Sequence, residues 1–235
     1  MKISFNTIKY TTATILSSLV LSSAAQSQNR ISVNDESTPD TFVKVSADSK
    51  NPVDKYTQND LPRAFREATN PSSWTNDPKI LKMAPNPYFY LKGYKTMAKI
   101  VVDITNCRLY IYNDSGNAVE SFKVAVGAFK TPTRPGIRKV LAKQTFPYTN
   151  CPKNSKRYRF PRDYGPKIAY LNVVDTITGN LHDNGAYFHG TRHESSILRQ
   201  NRHLTHSCTR VHNRDALYII NDVLKIGDYL KYIKK

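Results

Sequence analysis

From residue 97 onward the hydrophobic positions follow patterns that specify strands. "AKIVVDI" (98–104) is a nearly continuous apolar run and reads as a buried strand, and "RLYIY" (108–112) reads as a second. Between that strand and the next lies "NDSGN" (113–117), a run of turn-forming residues. "AVESFKVAVG" (118–127) then alternates, placing Phe122, Val124 and Val126 on one face. Three such segments in succession predict an antiparallel meander. "KTPTRPG" (130–136) enforces a loop through Pro132, Pro135 and Gly136, after which "IRKVLAKQ" (137–144), "KIAYLNVVD" (167–175) and "AYFHG" (186–190) supply further strands.

Near the end the period changes. In "NRDALYIINDVLKIG" (213–227), Ala216, Leu217, Ile220, Val223 and Leu224 recur at helical spacing. Asn213 and Asp215 suit the cap and dipole of its entry, and Gly227 suits its stop. "DYLKYIKK" (228–235) is expected to close the domain as an edge strand with its lysines exposed. The fold class expected is mainly β with one or two helices.

Residues 28–96 look different. "NDESTPD", "KNPVDKYTQND", "NPSSWTNDP" and "APNPYF" are rich in Pro, Asn, Asp and Ser and carry little periodic apolar sequence, so a polar linker or wrapping arm is expected there. A short helix at "LPRAFREA" (61–68) is the one regular element suggested. Residues 1–27 carry Lys2 and Lys9, no acid, an apolar stretch through Ile15, Leu16, Leu19, Val20 and Leu21, and then small residues. That order is the signature of a secretory signal peptide, and its apolar part is short for a membrane span. The absence of a cysteine after it argues against lipoprotein processing. An exported, periplasmic protein is expected.

Export changes how the charge is read. The 235 residues hold 35 Lys and Arg against 18 Asp and Glu; loss of Lys2 and Lys9 with the leader takes the formal charge from +17 to +15. Such a field concentrates anionic partners. Outside the cytosol, and without a nucleic-acid-binding motif, nucleic acid is not the expected partner. Carboxylate-rich wall peptides fit better, with peripheral association with anionic envelope surfaces as a further expectation. Oligomeric state is not readable.

Three cysteines, Cys107, Cys151 and Cys208, are too few for a disulfide framework. The pair most easily imagined as bridged is Cys107 with Cys151, leaving Cys208 free. Cys208 sits in "RHLTHSCTRVHN" (202–213), among His203, His206 and His212, with His189 and His193 earlier in the chain. Zinc would take four such ligands, yet no Cys-x2-Cys pair or acidic-histidine cluster accompanies them, so no metal is expected. A thiol near His206, Arg210 and His212 lies in the electropositive setting that makes thiolate accessible.

The order "FHGT" (188–191), a spacer, then "THSCTRVHNRDA" (205–216) resembles the signature of the YkuD-type L,D-transpeptidases. "IVVDITNCRLYIYNDSGNAVESFKVAVG" is similar to that family's opening meander, "KTPTRPG" to its Thr-Pro-Thr-Gly loop, and "YGPKIAYL" to the segment before its His-Gly strand. The resemblance covers residues 97–235 and implies a YkuD-like β-sandwich or barrel catalytic domain there. Carried over, it makes Cys208 the nucleophile, His189 the base, and the Gly190 backbone carbonyl the group that orients the imidazole. Backbone N–H groups at Ser207 and Cys208 would form the oxyanion hole, His206 would line the substrate site, and Arg210 would hold a substrate carboxylate or support the loop. The chain departs from the family pattern at Ser207, where glycine is usual; a turn requiring positive φ would strain serine there.

The resemblance further implies an exported enzyme that needs no metal or cofactor. Its thiolate would attack a tetrapeptide stem of peptidoglycan after the L-centre of meso-diaminopimelate, release D-alanine and form a thioester. Transfer to an amine of a neighbouring stem gives a 3→3 cross-link, and transfer to water makes an L,D-carboxypeptidase. Family members are typically acylated by carbapenems. A non-catalytic wall-binding module is the remaining alternative.

Overall fold

The computed structural model describes residues 50–66, 70–199 and 202–235, all within the compact unit Lys44–Lys235. The leader expected at residues 1–27 lies outside the described residues. Among those described, no helix is long and apolar enough to cross a membrane.

The strands in chain order are β1 (Tyr88–Leu91), β2 (Tyr94–Met97), β3 (Ile100–Asp103), β4 (Arg108–Tyr112), β5 (Ala118–Lys123), β6 (Val126–Gly127) and β7 (Gly136–Thr145). They continue with β8 (Lys167–Val174), β9 (Leu181–His189), β10 (His203–Thr205), β11 (Thr209–Arg210) and β12 (Tyr229–Ile233). Four short helices interrupt them: α1 (Pro78–Leu81), α2 (Lys156–Arg159), α3 (Ser195–Leu198) and α4 (Asn213–Tyr218). Eight strands form one curled sheet in the order β11-β9-β8-β7-β12-β3-β4-β5, so the protein is mainly β, a half-barrel with few helices.

The expected meander is present: β3 pairs antiparallel with β4, and β4 with β5. Its inward residues, among them Ile100, Val102, Leu109, Ile111 and Phe122, meet Leu171, Phe188, Ile219 and Leu224 in one buried cluster. Each such side chain contributes about 1.5–3 kcal/mol on burial, so the curl is held mainly by the inner face of the sheet against the α4 region. α4 runs directly into a π-helical turn, Ile219–Val223, closed by the Leu224 N–H donating to Ile219 O at 2.8 Å. Gly227 has φ +101, consistent with a stop requiring glycine.

Several expectations need correction. β12 is not an edge strand: it lies between β7, antiparallel, and β3, parallel. Its lysines are not simply exposed either, since Lys231 Nζ donates to Asn86 O at 2.9 Å and to Tyr88 O at 2.6 Å. Asn213 is the first residue of α4, not its cap; His212 stands at the cap and its side chain makes no capping bond. The helix expected over 61–68 is one 3-10 turn, Arg63–Phe65, among the described residues. Cys107, Cys151 and Cys208 are all free thiols. Cys107 is buried in the β3–β4 turn, its Sγ 3.6 Å from Ile104 O, whereas Cys151 lies in a separate loop with Sγ 3.0 Å from Tyr148 O.

Within residues 50–96 the polar sequence lies against the sheet. Val53, Leu61 and Phe65 are buried, and Thr75 exchanges two 2.9 Å backbone bonds with Ser121 of β5. Two buried carboxylates hold this segment: Asp215 accepts from Ser72 Oγ at 2.5 Å and from Ser73 N at 3.1 Å, and Glu194 accepts from Asn70 N at 2.5 Å.

Candidate active site

β9 runs from five exposed residues into the buried Ala186, Phe188 and His189 and ends at His189, where β11 adds in parallel with Thr209 opposite Phe188 and Arg210 opposite His189. Cys208 immediately precedes β11. The pairing therefore sets the thiol-bearing residue beside the end of the His189 strand, and both side chains line one cleft of about 410 Å³ with His206 and Arg210. His206 is exposed at this cleft, while His189 and Cys208 are 1% and 8% exposed.

His189 Nδ1 lies 2.5 Å from Gly190 O. A carbonyl oxygen only accepts, so Nδ1 carries the proton and Nε2 carries the lone pair. Nε2 is buried and unpartnered among the described residues. Burial first, then the charge of Arg210, push the imidazole pKa down to about 3, so the ring is neutral over the physiological range. The Tyr164 ring stands 5.1 Å from the imidazole, centroid to centroid, and lines the same cleft.

The Cys208 thiol is pushed above its ordinary value by burial, against which the Tyr187 backbone and the charges of Arg210 and Arg138 pull downward. No hydrogen bond joins Cys208 Sγ to His189 Nε2 in this structure. The two groups line one cleft without a hydrogen bond between them.

The "KTPTRPG" loop grips the "THSC" loop. Thr131 Oγ1 donates to Thr205 O at 3.1 Å, Thr133 Oγ1 donates to Ser207 O at 2.9 Å, and the Ser207 N–H donates to Thr131 O at 3.0 Å. Gly127 permits this approach: a Cβ there would lie 2.3 Å from Thr131 O. Ser207 has φ +67, the left-handed conformation in which a non-glycine residue costs about 1 kcal/mol. Because its N–H is already taken by Thr131, the expected oxyanion donor at Ser207 is filled. Of the pair expected to form the oxyanion hole, only the Cys208 amide is left for that role.

Behind the site, Asn213 Oδ1 accepts from Thr191 N at 2.8 Å, and a Cβ on Gly190 would fall 2.4 Å from that same oxygen. Glu194 in turn accepts from Asn213 N. Sequence reading missed these supports, along with Arg157, whose guanidinium lies 4.6 Å and 4.9 Å from the ring centroids of Tyr170 and Tyr187. In the sequence Asn213 reads only as a helix-capping residue, and nothing local marks its bond to Thr191.

Of the remaining histidines, His193 lines the same cleft as Cys208, whereas His203 and His212 are not among its lining residues. His203 Nε2 lies 3.5 Å from Cys107 Sγ. His212 is fully buried, its pKa lowered to about 4 by burial and by Lys123. His193 accepts from Arg192 Nε at 2.9 Å. Among the described residues, no group of three or more His, Cys, Asp or Glu is arranged to hold a metal ion.

Comparison with known proteins follows the same line. The family model described as the L,D-transpeptidase catalytic domain, YkuD, matches residues 97–228. No curated protein matches the chain. Among solved structures, an L,D-transpeptidase from Stackebrandtia nassauensis is 21% identical over 57% of this chain and 54% of its own, with TM-score 0.42. One from Enterococcus faecium is 14% identical over 58% of this chain and 49% of its own, with TM-score 0.37. A third, from Mycobacterium smegmatis, is 20% identical over 63% of this chain and 68% of its own, with TM-score 0.39. The chain spans about half the length of the first two, and TM-scores this low add no argument of their own. The family match over more than half of the sequence is what assigns the chain: it belongs to the YkuD family of L,D-transpeptidase catalytic domains.

Proposed function

We propose that the protein is an exported, cysteine-dependent L,D-transpeptidase of peptidoglycan. The observation that carries the reading is the neutral, buried His189, with its Nε2 lone pair unpartnered, lining the same cleft as Cys208. Nε2 takes the thiol proton as Sγ attacks the peptide carbonyl after the L-centre of the diaminopimelate residue. The tetrahedral oxyanion is met by the Cys208 N–H, and the proton returns from Nε2 to the departing D-alanine nitrogen, leaving a thioester. An amine of a neighbouring stem then displaces Sγ, with Nε2 taking the amine proton. Arg210 supports the thiolate from one side of the cleft and offers a planar fork to a substrate carboxylate.

One observation favours a second reading. The filled Ser207 N–H weakens the oxyanion hole, which suits a wall-binding module that does not turn over. Incubation with a disaccharide-tetrapeptide and chromatography of the products separates the two. The enzyme releases D-alanine and loses that release in Cys208→Ala; a binding module releases none and binds sacculi equally well in both forms. Release of D-alanine without cross-linked dimer identifies water as the acceptor.

A further inference from the structure

A second cavity adjoins the thiol loop. It measures about 350 Å³, and Arg134, Ile137, Arg138, Val173, Asn184 and Ser207 are among its lining residues. Ser207 faces this cavity, while its neighbours His206 and Cys208 face the His189 cleft.

Arg138 is the unusual residue in it. Its side chain, carried by β7, is 2% exposed, and its guanidinium lies 3.8 Å from the centroid of the Tyr232 ring. Nη2 donates to Arg134 O at 3.2 Å, whereas Nη1 is buried with no acceptor. Among the described residues no carboxylate pairs with it. The buried acids are committed elsewhere: Asp103 to Asn106, Glu194 to Asn70 and Asn213, Asp215 to Ser72 and Ser73. A guanidinium taken out of water without a counter-charge is costly, and an anion supplied from outside would remove that cost.

We propose that Arg138, with Arg134 at the rim, makes this cavity a receptor for the C-terminal carboxylate of a short peptide. The guanidinium fork matches a planar carboxylate. Asn184 adds a neutral amide, and Val173, opposite Arg138 in the β7–β8 register, adds an aliphatic wall suited to a small side chain beside the carboxylate. The volume lies at the small end of ligand pockets, enough for a terminal residue and not for a folded partner. Choosing a peptide, among carboxylates, rests on the transpeptidase reading; the cavity's need for an anion does not. A peptide so anchored ends one residue along the loop from the thiol.

The test uses N-acetyl-L-alanyl-D-alanine and its C-terminal amide, titrated calorimetrically into the full chain carrying Cys208→Ala, so that no chemistry intervenes. The acid is expected to bind at least ten-fold more tightly than the amide, and Arg138→Gln to abolish that difference. Arg134→Ala, at an exposed position, should reduce it about three-fold and covers the case in which Arg138→Gln does not fold. Equal binding of acid and amide overturns the proposal, as does tighter binding of inorganic phosphate than of the acid. Carbapenem acylation of the unsubstituted chain is followed in parallel. Acid preference without acylation leaves this receptor standing and removes the enzyme reading, and acylation without acid preference does the reverse.

Discussion

Asn213 Oδ1 accepts the Thr191 N–H at 2.8 Å, and through that bond the first residue of α4 fixes the chain just beyond His189. The Gly190 carbonyl that holds His189 Nδ1 belongs to the peptide bonded at its far end to that same Thr191 nitrogen. The imidazole is thus oriented by a backbone peptide which the helix start holds in place.

Asn213→Ala leaves the Thr191 N–H buried and unpaired, and should cost about 1–3 kcal/mol of stability. It should also slow carbapenem acylation by roughly ten-fold or more, because a misplaced base is a catalytic loss distinct from the folding loss. Urea unfolding reads the first effect and single-turnover acylation the second; a stability loss with unchanged acylation would show that Asn213 does not position His189.

Ser207 sits at φ +67, held by Thr131 and Thr133. Ser207→Gly should therefore raise stability by about 1 kcal/mol, less the greater chain entropy of glycine when unfolded. Thr133→Val should lower it by about 1–2 kcal/mol, since Thr133 Oγ1 both accepts from Gly127 N at 2.8 Å and donates to Ser207 O. Chemical denaturation of both variants checks the pair.

The thiol and the imidazole predict a simple pH profile. His189 is neutral above about pH 4 because its pKa is lowered to about 3, so it adds no limb between pH 5 and 8. Thiolate forms above a pKa that burial has raised, so alkylation of Cys208 by iodoacetamide should climb along a single limb lying above the ordinary thiol value of about 8.5. Arg210→Ala removes a charge that favours thiolate and should move the limb to higher pH. A plateau already reached at pH 6 would contradict this account.

Asp215 gives a stability dependence of opposite sense to the usual acid. Burial lifts its pKa to about 6 despite the hydrogen bonds of Ser72 and Ser73. A carboxyl whose folded pKa lies above its unfolded value contributes stability fully below about pH 4, and loses it as pH rises through 6. Unfolding midpoints compared with Asp215→Asn should show the natural chain losing about 2 kcal/mol relative to the variant between pH 4 and 7. A constant difference across that range would mean Asp215 is ionised throughout.

Much of the fold was legible because the signals were local. β3 and β4 follow from apolar runs separated by a turn, and "FHGT" and "THSC" are ordered motifs. What escaped depends on pairings distant in sequence. β12 reads as an edge because its lysines look solvent-facing, yet it enters the sheet between β7 and β3 and Lys231 caps the carbonyls of Asn86 and Tyr88. Residues 70–75 read as a linker because they are polar, and those polar groups are what the buried Asp215, Glu194 and Ser121 bind. Arg138 gave no signal: a charged residue in a strand of mixed pattern is expected to face solvent, and only its stacking on Tyr232 shows it inside.

The central claim is that Cys208 is an acylable nucleophile, and intact-protein mass spectrometry after incubation with a carbapenem tests it most directly. The account predicts one carbapenem mass added to the folded chain, mapped to Cys208 by peptide digestion and absent in Cys208→Ala. A folded chain that gains no mass, or an adduct on Cys107 or Cys151 in its place, would contradict it.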